Sequence, residues 1–128
     1  MAKILIVDDD PSTLKLIEGI LLVEGYETLR AVDGLDALVK IKTENPDLVV
    51  LDIMIPEING YDVCYQLRFN DEFKKLPIIL MTKRKKELDD DIGRKVNIDY
   101  VPKPVDPKLL LGKIDQLLKG EQRERREP

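Results

Sequence analysis

Apolar runs of strand length alternate along this chain with segments of helical period, and that alternation restricts the fold more than any other feature. "KILIVD" is followed by "PSTLKLIEGILLVEG", where Leu14, Ile17, Ile20 or Leu21, and Val23 or Glu24 trace helical spacing. Gly25 stands where that helix would stop. "YETLRAV" is a polar-interrupted strand suited to a sheet edge. "DGLDALVKIKTENP" reads as a helix with Leu35, Leu38, Val39 and Lys42 on one side, ended by Asn45 and Pro46. "DLVVLDI" is a continuous apolar strand, the kind buried on both faces of a parallel sheet. After the loop "MIPEING" come the helix "YDVCYQLRF", the strand "LPIILMT" and a polar helix "KELDDDIGRKV" carried by Leu88, Ile92 and Val96. A short strand and loop, "DYVPKP", precede a last amphipathic helix, "DPKLLLGKIDQLLKG", with Leu110, Ile114, Leu117 and Leu118 as its stripe.

Five strands alternating with five helices imply right-handed crossovers and a parallel sheet covered on both faces. A length of 128 residues with 43% hydrophobic content suits one domain with a real core. The formal charge of −4 gives no support to binding nucleic acid or an anionic membrane, which calls for clustered positive surface. The single cysteine, Cys64, excludes a disulfide within the chain. It shares a helical pattern with Val63 and Leu67 and reads as a structural, apolar-like residue. "MAKILIVDDD" carries too short an apolar run for a signal peptide, and no segment approaches the roughly 20 apolar residues of a membrane span. The expectation is a soluble cytoplasmic protein.

In open α/β sheets the ligand site lies beyond the carboxyl ends of the strands. The first strand ends in Asp8, Asp9 and Asp10, the third in Asp52, the fourth in Thr82, and the fifth runs into Lys103. Carboxylates gathered at one edge repel one another and stay ionised together only if a hard cation joins them. Mg²⁺ suits that role, because it accepts a few carboxylates and keeps water and phosphate oxygens as its other ligands. A carboxylate beside it can attack a phosphoryl group. Such transfer needs charge neutralisation around the equatorial oxygens, for which a hydroxyl and a lysine are suited. Asp10 also has a local reading, since Asp-Pro is a good helix start with aspartate as N-cap; capping is taken as its chief role. The run "KRKK" at 83–86 reads as a solvated stretch, because "ELDDD" follows it.

"VDDD", "LDIMIPEINGYD", the "MT" ending the fourth strand, and "DYVPKP" occur in order, each at a strand end. On these motifs the chain resembles a response-regulator receiver domain of bacterial two-component signalling, from Lys3 to about Leu118. The resemblance implies a flavodoxin-like (βα)5 fold, a doubly wound five-stranded parallel sheet of order 2-1-3-4-5. Residues 1–119 would form the receiver domain and 120–128 a charged, disordered tail or the start of a linker. Asp52 corresponds to the phosphoacceptor, supplied by a sensor histidine kinase or a histidine phosphotransfer protein. Asp8, Asp9, Asp52 and the backbone carbonyl of Met54 correspond to the Mg²⁺ ligands. Thr82 and Lys103 correspond to the residues that meet the phosphoryl group, and Tyr100 to the switch aromatic. That aromatic would report on a face made by the fourth helix, fifth strand and fifth helix, where a downstream protein, effector domain or second copy would dock. Pro56 and Gly60 shape the loop after the acceptor, and Lys103-Pro104 corresponds to the family's cis peptide.

Two positions and one segment depart from the pattern. Lys83 follows Thr82 where a small residue is usual, so a long cation stands at the mouth of the site and modulates access. The region of the fourth predicted helix is unusually charged. Asn97 stands where glycine is common, and asparagine tolerates the left-handed conformation of a helix stop. The leading expectation is a phosphorylation-dependent switch rather than a turnover enzyme. Its alternatives are a degenerate receiver that only binds partners and a Mg²⁺-dependent phosphatase acting through an aspartyl-phosphate. The phosphatase would need a second acid and a cap over its substrate, and no insertion long enough for a cap is visible.

Overall fold

β1 (Lys3–Val7) buries Ile4 and Ile6 on one face of the sheet and Leu5 and Val7 on the other. This two-residue alternation within an apolar run builds a sheet with two cores. The computed structural model describes residues 1–83 and 97–126. After β1 follow α1 (Pro11–Val23), β2 (Glu27–Ala31), α2 (Gly34–Glu44), β3 (Leu48–Asp52), α3 (Gly60–Arg68), β4 (Ile78–Thr82), β5 (Ile98–Pro102) and α4 (Pro107–Arg126). All strand pairs are parallel, in the order β2-β1-β3-β4-β5, as expected. β2, the polar-interrupted strand, is an edge. The polar helix expected over "KELDDDIGRKV", with Leu88, Ile92 and Val96, lies outside the described residues, as does most of "KRKK". The fifth predicted helix is α4, and its backbone continues past Gly120, where the sequence reading ends it.

One face of the sheet is covered by α1 and α4 through Leu14, Ile17, Leu21, Leu110 and Ile114. Leu117 and Leu118 pack partly against this cluster, so the expected α4 stripe faces the sheet. In α1 it is Leu21 rather than Ile20 that continues the stripe, and neither Val23, 86% exposed, nor Glu24 extends it. The opposite face is covered by α2 and α3 with Ala37, Ile41, Val63, Cys64 and Leu67. Here the sequence reading of α2 needs correcting. Leu35 and Val39 face solvent, and Gly34, Ala37 and Ile41 face inward, with Leu38 packed against them. The reason is proximity: a Cβ on Gly34 would strike the carbonyl of Ile58, so the start of α2 takes the smallest residue on its inner side.

The helix ends follow local chemistry. Asp10 caps α1, its carboxylate accepting from Ser12 N (3.1 Å) and Thr13 Oγ1 (2.9 Å), with Pro11 opening the helix. Those hydrogen bonds, Thr13's foremost, hold the Asp10 carboxyl below its ordinary pKa. Asp33 and Asn59 cap α2 and α3 in the same way. Gly25 (φ +87°), Asn45 (φ +48°) and Asn97 (φ +61°) occupy the left-handed region.

Candidate functional site

The parallel sheet delivers β1, β3, β4 and β5 to one rim, where Asp8, Asp52 and Thr82 are 1%, 6% and 4% exposed. Two carboxylates this far from solvent need a partner. They share Lys103, whose ammonium lies 2.7 Å from Asp8 Oδ2 and 3.1 Å from Asp52 Oδ2. Their other oxygens serve the main chain: Asp8 Oδ1 accepts from Asp10 N (3.0 Å) and Asp52 Oδ1 from Met54 N (3.2 Å). Burial raises the Asp52 pKa above the ordinary aspartate value; Lys103 opposes that rise and the charge of Asp8 adds to it. Burial also works against the Lys103 ammonium. Its hydrogen bonds to Asp8 and Asp52 prevail and raise its pKa.

Asp9 is exposed and completes a group with Asp8 and Asp52, one carboxylate oxygen from each lying within 4.8 Å of the others. Three hard oxygen donors so close fit a hard divalent cation such as Mg²⁺, with room left for waters or phosphate oxygens. Asp10, by contrast, is engaged at its helix cap. The capping role is the one that the sequence reading gave Asp10.

The loop after Asp52 is held by close backbone approach. Ile53 N donates to Met81 O (3.2 Å) and Gly60 N to Ile53 O (2.9 Å). A Cβ on Gly60 would lie 2.8 Å from Asp52 O and from Ile53 Cα, so glycine lets α3 begin against the acceptor segment. From the other side Gly34 N donates to Pro56 O (3.2 Å). Pro56 itself is exposed, and Glu57 carries φ +70°. Gly34 is a supporting residue that the sequence reading did not single out. Its only signal was a glycine directly behind the capping Asp33.

Lys103 N donates to Thr82 O (2.8 Å), which couples the ends of β4 and β5, and the Lys103-Pro104 peptide is cis. Tyr100 is buried, packed in the α2/α3 core with Leu80 and Ile98. Cys64 lies in the same core, its thiol pushed up to about 12 by burial, consistent with a structural residue. Asp8, Asp9, Asp10, Asp52, Thr82, Lys83 and Lys103 line a cleft of about 830 Å³, with Leu16, Met54 and Val105 at its apolar margin. Lys83 is exposed there.

Residues 4–115 match the family described as the response regulator receiver domain. The chain is 38% identical over 118 residues to the alkaline phosphatase synthesis transcriptional regulatory protein PhoP of Bacillus subtilis, covering 91% of this chain and 48% of that protein. It is 36% identical over 121 residues to protein PilH of Pseudomonas aeruginosa, covering 94% of this chain and all of PilH. The chain thus spans about half the length of PhoP and the whole of PilH. Among solved structures, a CheY-like receiver domain protein from Methanospirillum hungatei superposes with a TM-score of 0.84 at 29% identity, over 97% of this chain and 98% of that one. The chemotaxis response regulator CheY4 of Vibrio cholerae gives 0.81 at 27% identity, over 91% and 98%. Among the described residues no helix is long and apolar enough to cross a membrane.

Proposed function

The chain belongs to the response regulator receiver domain family, and from that premise we propose that it is a phosphoryl-accepting switch with Asp52 as acceptor. One observation carries this reading: the Asp52 carboxylate is buried at the end of β3, within reach of a lysine it shares with Asp8 and beside the carboxylate of Asp9. The 128 residues contain no histidine, so the phosphoryl group arrives from a donor outside them. The partner is a sensor histidine kinase or a histidine phosphotransfer protein. An Asp52 carboxylate oxygen forms the new O–P bond as the donor's N–P bond breaks, and the electron pair leaves with the imidazole.

Asp8, Asp9 and Asp52, with the main-chain carbonyl of Met54, would hold Mg²⁺, which when bound supplies positive charge against the phosphoryl oxygens. Lys103 is already poised between Asp8 and Asp52, so a small rotation of its ammonium brings it from carboxylate to phosphoryl oxygen. The Thr82 hydroxyl, at the same rim, hydrogen-bonds a second oxygen. Lys103 N and Thr82 O join the ends of β4 and β5, and a shift of Thr82 is passed to the strand that carries Tyr100. Tyr100 then changes the face that a downstream protein, an effector domain or a second copy reads. Self-dephosphorylation is modest, and the output is binding rather than turnover.

The test is intact-mass analysis after incubation with Mg²⁺ and acetyl phosphate, comparing the wild type with Asp52→Asn. A single base-labile adduct on the wild type and none on the variant is expected. An adduct that survives in Asp52→Asn would remove Asp52 from the acceptor role.

A further inference from the structure

We propose that the first turn of α2 positions the acceptor loop through Gly34 and so sets how tightly the rim holds Mg²⁺, an inference that rests on Asp8, Asp9, Asp52 and the Met54 carbonyl being the cation's seat. Residues 53–59 join Asp52 to α3, and Met54 lines the cleft. This loop is closed at its base, where Ile53 N donates to Met81 O (3.2 Å) and Gly60 N to Ile53 O (2.9 Å). Its middle rests against α2, where Gly34 N donates to Pro56 O (3.2 Å). A Cβ on Gly34 would lie 2.8 Å from Ile58 C and from Ile58 Cβ, and closer still to Ile58 O. Main-chain atoms cannot rotate aside as a side chain can, so a larger residue there must move either the helix or the loop.

The helix is the firmer partner. Ala37 and Ile41 are buried in the core beneath it. Asp36 Oδ2 accepts from Val32 N (3.2 Å) and Lys40 Nζ donates to Arg30 O, so side chains of α2 also tie it to the edge strand β2 and the residue after it. In the loop, Met54, Pro56, Glu57 and Asn59 are exposed. The loop therefore yields, and its displacement reaches the site by two short paths. Met54 N is the donor to Asp52 Oδ1 (3.2 Å), and the Met54 carbonyl is the main-chain member of the cation's seat. Gly34 acts through these atoms as a positioning residue. Altering groups that orient metal ligands changes affinity by roughly ten- to hundred-fold.

The experiment titrates Mg²⁺ into the full chain while following the backbone amide shifts of Asp9, Asp52 and Met54. It then measures adduct formation from acetyl phosphate, per folded molecule, at low and at saturating Mg²⁺. Gly34→Ala is expected to weaken Mg²⁺ binding about ten-fold and to slow the adduct at low Mg²⁺, with most of the rate recovered at saturation. Ile41→Val, on the buried side of α2 two turns further on, should lose stability and keep wild-type Mg²⁺ affinity. Asp33→Ala removes the cap of α2 without adding a Cβ beside Ile58, and should weaken Mg²⁺ by roughly two- to three-fold. Wild-type affinity in Gly34→Ala, or in Asp33→Ala where Gly34→Ala does not fold, would overturn the role of Gly34 and leave Asp52 as acceptor. Equal weakening in Ile41→Val would do the same, since stability alone would then explain the loss. A wild type that binds Mg²⁺ and forms no adduct would overturn the acceptor reading alone, because the titration still decides the role of Gly34. A wild type whose rim amides do not respond to Mg²⁺ would overturn this inference together with the cation's seat.

Discussion

The two ends of the sheet use polar side chains in opposite ways. At the end where β3 and β4 begin, they serve the backbone. Asp47 Oδ2 accepts from Lys3 N (2.7 Å), and Arg68 donates to the carbonyls of Phe73 (3.1 Å) and Leu76 (2.7 Å). Asn97 Nδ2 donates to Lys75 O (2.8 Å). Each of these fixes a turn that would otherwise leave peptide groups without partners, so their business is folding. At the opposite end Asp8 and Asp52 each give one oxygen to a nearby main-chain N–H and the other to Lys103, charge against charge, with both carboxylates buried. A carbonyl bound to arginine has no substitute partner at hand. A carboxylate bound to lysine can exchange it for another cation or for a phosphoryl group's surroundings. The first end is permanent structure; the second is an arrangement of charges that can be redistributed.

Lys103→Met should break this contrast most severely. It leaves two buried carboxylates unpaired, and loss of one member of a buried ion pair costs about 3–5 kcal/mol. Urea unfolding in chelator should show that loss, and millimolar Mg²⁺ should recover a good part of it. An equal loss with and without Mg²⁺ would mean that no cation replaces the lysine. Arg68→Met comes next, at about 2–3 kcal/mol for carbonyls deprived of a charged donor. This loss should be the same with or without Mg²⁺, and the adduct formed per folded molecule should match wild type. Sensitivity to Mg²⁺ would tie the two ends together.

The smallest effect is the pH dependence of the rim. Folded Asp52 keeps its proton to higher pH than unfolded aspartate, so stability should fall as pH rises from the ordinary aspartate value through the raised one. Lys103 acts in alkali: its contribution is complete below the pKa of an unfolded lysine and is lost as pH rises through its raised value. Denaturation midpoints across pH should show both declines, and Asp52→Asn should flatten the acidic one. A slope unchanged in that variant would assign it to another carboxylate.

Much of this was legible in the sequence because it depends on neighbours along the chain. "DDDPST" announces a helix cap behind Asp10, and "ILIV" and "LVVL" announce strands buried on both faces. Asp8, Asp52, Thr82 and Lys103 could be placed at one rim because parallel strands all end on the same side. The face of α2 was not legible. Its large residues Leu35 and Val39 suggested a core stripe, yet the helix turns Gly34, Ala37 and Ile41 inward. Hydrophobic periodicity says which residues would gain from burial, and says nothing about how close the next segment lies. Here the Ile58 carbonyl leaves no space for a side chain at Gly34.

The sequence by itself thus determined the alternation of elements, the cap at Asp10, the parallel pairing of the strands and the acids set at strand ends. Those are consequences of period, propensity and chirality, which act over a few residues or one crossover. Tertiary structure alone decided that Lys103 would meet Asp8, 95 positions away, at 2.7 Å. It also decided that two glycines would let α2 and α3 close on the acceptor loop. Distances between charges and the space left for a side chain arise only when separate elements pack, and no local pattern encodes them.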